Sequence, residues 1–263
     1  MTVTKQNIKE VHALNLKKHR DIMQAFVAEG PKVVTDLLPL MRCRILYATQ
    51  VFLDRLPSVL KRNIELIEVV DQKTLERLSL LCAPRDVLAV FEKPRVKDMA
   101  GEEELEEWMS LPRRSLCLVL DAVQDPGNLG TIVRLADWFG IEHIFASTDT
   151  ADVFAPKVVQ ATMGAIGRVS VHYCNLPHLL CRMEGVPIYG TFLDGTDVYT
   201  ERLTQNGLIV MGNEGRGISS EVESCVNKRL YIPPYPVGRA TSESLNVAIA
   251  TAIVCAEFRR GSR

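Results

Sequence analysis

Short apolar runs alternate with amphipathic stretches along the first 95 residues. A polar amphipathic start, Lys5 to Leu16, leads into Phe26-Val27-Ala28-Glu29-Gly30, a pattern that predicts a short strand closed by glycine. Pro31 suits the first turn of a helix running to Leu40. Further strands are predicted over Arg44–Ala48, Glu65–Val70 and Asp86–Phe91, and helices over Gln50–Lys61 and Gln72–Cys82. Strands separated by helices imply a largely parallel sheet with helices on both faces.

Residues 92–114 break the rhythm with two prolines, a glycine and the run Glu102-Glu103-Glu104-Leu105-Glu106-Glu107. They read as a linker with one or two exposed helical turns. The expected organisation is a first domain over 1–95, an acidic linker over 96–114 and a second domain over 115–263. In the second domain, Leu116 to Val123, apolar apart from Asp121, reads as one strand buried on both faces. Helices are expected over Leu129–Phe139, 155–163, 175–184 and near 219–225, and strands over 142–147, 168–173, 186–192, 207–211 and 228–232. The last helix, Glu243 to Arg260, is apolar nearly all round, so it must be covered on several sides and is a candidate subunit interface.

Composition narrows the class without naming a function. The chain has 263 residues, 47% hydrophobic and 24% charged, which excludes a disordered, collagenous or coiled-coil protein. No apolar run reaches the ~20 residues that span a bilayer, and no signal-peptide pattern opens the chain. Seven scattered cysteines include no C-x-x-C pair, and the five histidines show no H-E-x-x-H spacing. Reduced thiols, a cytosolic setting and no metal site are therefore expected. The net charge of −1 hides an asymmetry: residues 1–95 carry +5, and 96–114 and 115–263 carry −3 each. The basic excess is densest at Lys17, Lys18, His19 and Arg20, where a polyanion would be met first; a solvated helix face is the alternative.

The phosphate loop, the dinucleotide-binding glycine fingerprint and the nucleophile elbow are all missing, which disfavours kinases, dehydrogenases and serine hydrolases. Three polar clusters remain, each after a predicted strand of the second domain, where open parallel sheets hold ligands. The first is Asp125 to Arg134, in which Asn128 is placed to cap a helix and Arg134 either pairs with Asp137 or fixes a phosphate or ribose. The second is Gly212-Asn213-Glu214-Gly215-Arg216-Gly217, where glycines let backbone approach a ligand, unless it is a plain surface turn. The third is Ser242-Glu243-Ser244-Leu245-Asn246, with capping residues and an Asn whose amide needs partners inside an apolar helix.

In this order and spacing the clusters resemble the SpoU (TrmH-type) RNA ribose 2′-O-methyltransferases of the SPOUT superfamily. Asn128, Gly130 and Arg134 fit its N-x-G-x-x-x-R motif, Gly212 to Gly217 its G-N-E-G-x-G motif, and Ile232, Pro233, Ser244, Leu245 and Asn246 its I-P…S-L-N pattern. Phe26 to Lys32 also resembles the entrance of the family's amino-terminal substrate-binding domain, so the likeness covers nearly the whole chain. The loop Pro234 to Thr241 is about four residues longer than the family pattern.

The resemblance implies an α/β fold: a carboxyl-terminal trefoil-knot (SPOUT) domain preceded by a smaller L30e-like α/β domain. It implies S-adenosylmethionine as methyl donor, no metal, a homodimer formed through the knotted domain, and an RNA substrate, ribosomal rather than transfer RNA. Arg134 would act on the ribose 2′-hydroxyl as base or, more easily for a guanidinium, as a stabiliser of the alkoxide. Asn128, Glu214, Ser244 and Asn246 would orient the ribose and Arg134. Thr191, Gly212, Asn213, Gly217, Ile232 and Leu245 would hold the cofactor, and Lys17, Lys18, Arg20 and Lys32 would meet RNA phosphates. The rivals are a catalytically silent RNA-binding assembly factor, which has no chemical need of all the motif residues, and a different nucleotide-binding α/β enzyme.

Overall fold

The computed structural model describes residues 3–94, 102–236 and 244–260. The elements of the first half are α1 (Lys5–Ala13), α2 (Lys17–Met23), β1 (Ala25–Glu29), α3 (Pro31–Leu37), β2 (Cys43–Ala48), α4 (Gln50–Arg55), β3 (Ile64–Val69), α5 (Gln72–Leu78) and β4 (Val87–Glu92). They are followed by α6 (Glu102–Arg114), β5 (Leu116–Leu120), α7 (Pro126–Trp138), β6 (His143–Ser147), α8 (Pro156–Thr162), β7 (Ser170–Cys174) and α9 (Leu176–Leu180). The chain ends with β8 (Ile188–Asp197), β9 (Gly207–Met211), α10 (Ser220–Glu223), β10 (Lys228–Tyr231) and α11 (Val247–Arg260). Two compact units result, Met1–Val96 with Asp152–Arg168, and Lys97–Ala151 with Val169–Arg263.

The first unit is built on a four-stranded sheet of order β1-β4-β2-β3. It is mixed, where the helix–strand rhythm predicted a largely parallel one: β2 and β3 are parallel, but β4 inserts antiparallel to both β1 and β2. Val11 and Leu14 from the α1 region and Leu75 and Leu78 of α5 cover Val27, Tyr47 and Leu88 on one face. The helix expected over Gln50–Lys61 stops at Arg55, because Pro57 holds Leu56 in an extended conformation.

The segment 152–168, expected to belong with the rest of 115–263, groups with this first unit. Phe154 lies 5.0 Å from the Phe26 ring, and α8 packs on β1. Asp152 receives the Arg20 guanidinium at 2.5 Å. Arg20 is only 2% exposed and also donates to the carbonyls of Leu14 and Asn15 at 2.8 and 2.9 Å. Four of its five N–H donors are thus spent inside the fold, which corrects its reading as a phosphate contact.

The second unit has a fully parallel six-stranded sheet of order β10-β8-β9-β5-β6-β7. Its central strands, β5 (LCLVL) and β9 (GLIVM), are buried at every residue, as the continuous apolar runs require. α6, α9 and α10 cover one face, around Cys117, Val119, Leu208 and Val210. α7 and α11 pack together, with Phe258 edge-on to Tyr189 at 4.9 Å. Arg259 donates to the carbonyls of Phe139 and Gly140, satisfying the open end of α7.

Two expectations are corrected here. Residues 102–114 of the expected linker form α6, whose Leu105 and Trp108 are both 7% exposed in the core of this unit. The cysteines are not all reduced: Cys181 at the end of α9 and Cys225 just past α10 form a disulfide, since packing of these two short helices brings their Cα atoms to 5.2 Å. The other five are free thiols, four of them buried.

Candidate active site

From β5 the chain runs outward to β6 and β7, and β9, β8 and β10 lie on the other side of β5. The strand order therefore reverses between β5 and β9, and ligands of open α/β sheets bind outside the carboxyl ends at such a point. The segment leaving β5 and the glycine loop leaving β9 both open there.

Asp125, not Asn128, caps α7: its Oδ1 accepts the Asn128 backbone N–H at 2.8 Å. Asn128 thereby sits in the first turn with its amide side chain free for other partners. Its Nδ2 donates to Glu214 Oε1 at 2.5 Å, and its Oδ1 accepts from Asn246 Nδ2 at 3.0 Å. Asn246 does not lie inside the last helix as expected. It precedes α11, which starts at Val247 rather than Glu243, and its Oδ1 accepts the N–H groups of Ala248 and Ile249 at 3.0 and 3.3 Å. A continuous chain Asn246→Asn128→Glu214 joins three segments up to 118 residues apart.

The glycine loop is pinned below this chain. Asn213 N–H donates to the Gly217 carbonyl at 3.0 Å, and Gly217 N–H returns to the Asn213 carbonyl at 2.8 Å. Asn213 Oδ1 accepts the N–H groups of Gly215 and Arg216, and Nδ2 donates to the Ala122 carbonyl at 2.8 Å. Ala122 holds a left-handed φ of 57°, and its own N–H donates to Ser147 Oγ at 2.8 Å. Strain of that kind persists only where the surroundings over-determine it, and it clusters at functional sites. Asp121 and Ala122 were missed by sequence reasoning, although Asp121 directly follows an apolar strand.

Arg134 is exposed on α7 and makes no hydrogen bond or ion pair with any described residue. Ser244 is likewise exposed and is not joined to the amide chain. Thr191 is half-buried on β8, its Oγ1 donating to the Val210 carbonyl at 3.4 Å. Ile232 is half-buried after β10, and Leu245 is 45% exposed before α11. Most of the long loop expected at 234–241 lies outside the described residues, from 237 on. In the first unit, Lys17 and Lys18 are exposed at the start of α2, and Lys32 opens α3 and pairs with Asp36 at 2.6 Å. Among the described residues no group of three His, Cys, Asp or Glu side chains is arranged to hold a metal.

A glycine loop and an amide–carboxylate chain at the switch point of a parallel sheet define an α/β enzyme built around a nucleotide-like ligand. Residues 115–256 match the SpoU rRNA Methylase family and residues 5–89 match the MRM3-like substrate binding domain. The chain belongs to the SpoU rRNA Methylase family. It is 32% identical to the 23S rRNA (guanosine(2553)-2′-O)-methyltransferase RlmP of Bacillus subtilis, over 97% of this chain and 96% of that protein. A TrmH-family structure from Porphyromonas gingivalis is 41% identical with a TM-score of 0.85, covering 99% of this chain and all of that one. The AdoMet-bound rRNA methyltransferase from Sinorhizobium meliloti is 30% identical with a TM-score of 0.80, covering 99% and 97%. The chain is accordingly a methyltransferase, with S-adenosylmethionine as its methyl donor.

The residues present fit that donor. Ile232 and Leu245 leave apolar side-chain surface uncovered, suited to the two faces of an adenine, and the glycine loop offers backbone without intervening side chains.

Proposed function

We propose that this chain methylates a ribose 2′-hydroxyl of ribosomal RNA. The observation that carries the reading is the Asn246→Asn128→Glu214 chain, which fixes three separate segments in one constellation. When bound, S-adenosylmethionine supplies a methyl group already activated by its sulfonium. Ile232 and Leu245 flank the adenine, and backbone at Thr191, Gly212, Asn213 and Gly217 holds the rest of the donor. Asn128 is locked in one amide orientation, since Nδ2 must face the Glu214 carboxylate and Oδ1 must accept from Asn246. Glu214, Asn246 and the exposed Ser244 orient the ribose. The free guanidinium of Arg134 stabilises the alkoxide that forms as the hydroxyl loses its proton to solvent water at this exposed site; a guanidinium is too poor an acceptor to take that proton readily.

Residues 1–95, with the segment 152–168 that groups with them, grip the RNA, and α6 with the rest of 115–263 performs the transfer within a knotted fold. Lys17, Lys18 and Lys32 contact phosphates. Two copies pair through α7 and α11, where Trp138 is 84% and Ile249 53% exposed, too much apolar surface to leave in water on one helix pair. The setting is the cytoplasm, with the RNA. The test uses methyl-labelled S-adenosylmethionine and deproteinised ribosomal RNA. Label should be recovered in alkali-resistant dinucleotides, because a 2′-O-methyl group blocks the internal attack that cleaves RNA in base. Label recovered only on bases, or none, would overturn the reading.

A further inference from the structure

A second feature of the methyltransferase unit lies at the carboxyl-terminal edge of its parallel sheet. A cleft of about 290 Å³ opens at the carboxyl ends of β5, β6 and β7, lined by Asp121, Ser147, Thr148, Asn175, Ser219 and Glu221 among others. Its volume is at the lower edge of the roughly 300–1,000 Å³ of small-molecule sites, enough for one nucleobase and not for a dinucleotide.

The chemistry of the lining is one-sided. Asp121 is only 6% exposed; its Oδ2 accepts the Ser219 N–H at 2.7 Å, and its Oδ1 accepts no hydrogen bond from any described residue. Glu221 adds a second carboxylate, and Cys174 is a neutral thiol because burial pushes it up to about 12. No lysine or arginine lines the cleft, so a phosphate is excluded by two uncompensated carboxylates. An ionised carboxylate only accepts hydrogen bonds, so the occupant must present donors. The cleft is also coupled to the catalytic constellation. Asp121 is followed by Ala122, whose carbonyl holds Asn213, the neighbour of Glu214, and Ser219 stands two residues beyond Gly217.

We infer that this cleft seats the base of the nucleotide whose ribose is methylated, and that Asp121 with Glu221 selects guanine. Guanine alone among the four bases offers two adjacent donors, N1–H and the 2-amino group, on its Watson–Crick edge, the edge that enzymes read once a base is out of the stack. Adenine and cytosine offer one amino group, and uracil one ring N–H. The inference deepens the proposed function and depends on it.

The experiment compares transcripts that carry G, inosine, A, C or U at the mapped target position, with methyl transfer and S-adenosylmethionine affinity measured separately. Wild type should favour G, and inosine, which lacks only the 2-amino group, should lose about 10- to 100-fold in kcat/KM. Asp121→Asn keeps an oxygen for Ser219 N–H but turns the open acceptor into a donor. It should cut kcat/KM for G by a similar factor, flatten the difference between G and inosine, and leave donor affinity unchanged. Glu221→Gln, at an exposed position that the fold does not need, should flatten the same ratio more weakly. Equal methylation of all five transcripts by wild type would overturn the inference alone. So would an Asp121→Asn loss that is the same for every base. Absence of ribose methylation with every base would bring down the proposed function as well.

Discussion

Gly212→Ala probes the glycine loop most sharply. A Cβ at residue 212 would stand 2.3 Å from the Gly217 carbonyl carbon and 2.4 Å from the Ile218 nitrogen, against 3.4 Å or more in ordinary contact. The obstacle is backbone, so no side-chain rotation relieves it. The loop must open by about 1 Å, which breaks the paired bonds between Asn213 and Gly217. Two such bonds are worth about 2 kcal/mol together, which for a chain of this size lowers Tm by roughly 4–8 °C. The larger effect is on chemistry. Glu214 lies inside the displaced loop, and a misplacement of ~1 Å typically costs about 100-fold in rate. The assay is kcat/KM for methyl transfer beside a thermal melt, with Gly215→Ala as the control for stability, since a Cβ there meets only Asn213 Oδ1 at 3.6 Å. A Gly212→Ala protein that melts and turns over like wild type would show that the loop does not position Glu214, and the reasoning would fail.

Other outcomes follow from the same structure. Arg20→Ala should destabilise the fold by about 3 kcal/mol in urea, because it leaves the part-buried Asp152 carboxylate with only the Phe154 N–H, whereas Lys18→Ala should leave stability unchanged and weaken RNA binding with a shallower salt dependence. Cys225→Ser, or reduction of the native protein, should cost about 4 kcal/mol by loop-closure entropy for cysteines 44 residues apart, and a melting curve insensitive to reductant would contradict this. His172 is pushed down to about 4 by burial and by the neighbouring His143. It therefore stays neutral when folded, and the stability it contributes is complete above about pH 6.5 and lost as pH falls toward 4. From pH 7 to pH 5 the loss should be about 2 kcal/mol, and His172→Phe should remove it from urea midpoints measured at the two pH values.

The parallel sheet of the second unit was legible because β5 and β9 are apolar at every position, a pattern few other elements share. The three motif segments were legible as residue types, but their wiring was not. Asp125 and Asn128 are both good caps, and only the helix start at Pro126 decides that Asn128 keeps its amide free. Apolar periodicity carries no strand direction, so the antiparallel β4 went unseen. In α6 the spacing of Leu105, Trp108 and Met109 was present but masked by the surrounding glutamates. Arg20 looked like part of a basic patch because its partner, Asp152, is 132 residues away. The pairing of Cys181 with Cys225 depends on two helices packing, which spacing does not encode.

Methyl transfer to a ribose in ribosomal RNA should depend on the Asn246→Asn128→Glu214 chain. Nucleoside mass spectrometry of ribosomal RNA, from cells lacking this chain and from cells resupplied with it, tests that most directly. One 2′-O-methyl nucleoside should vanish, return with the wild-type chain, and fail to return with Asn128→Ala. An unchanged ribosomal RNA, or full restoration by Asn128→Ala, would contradict the account.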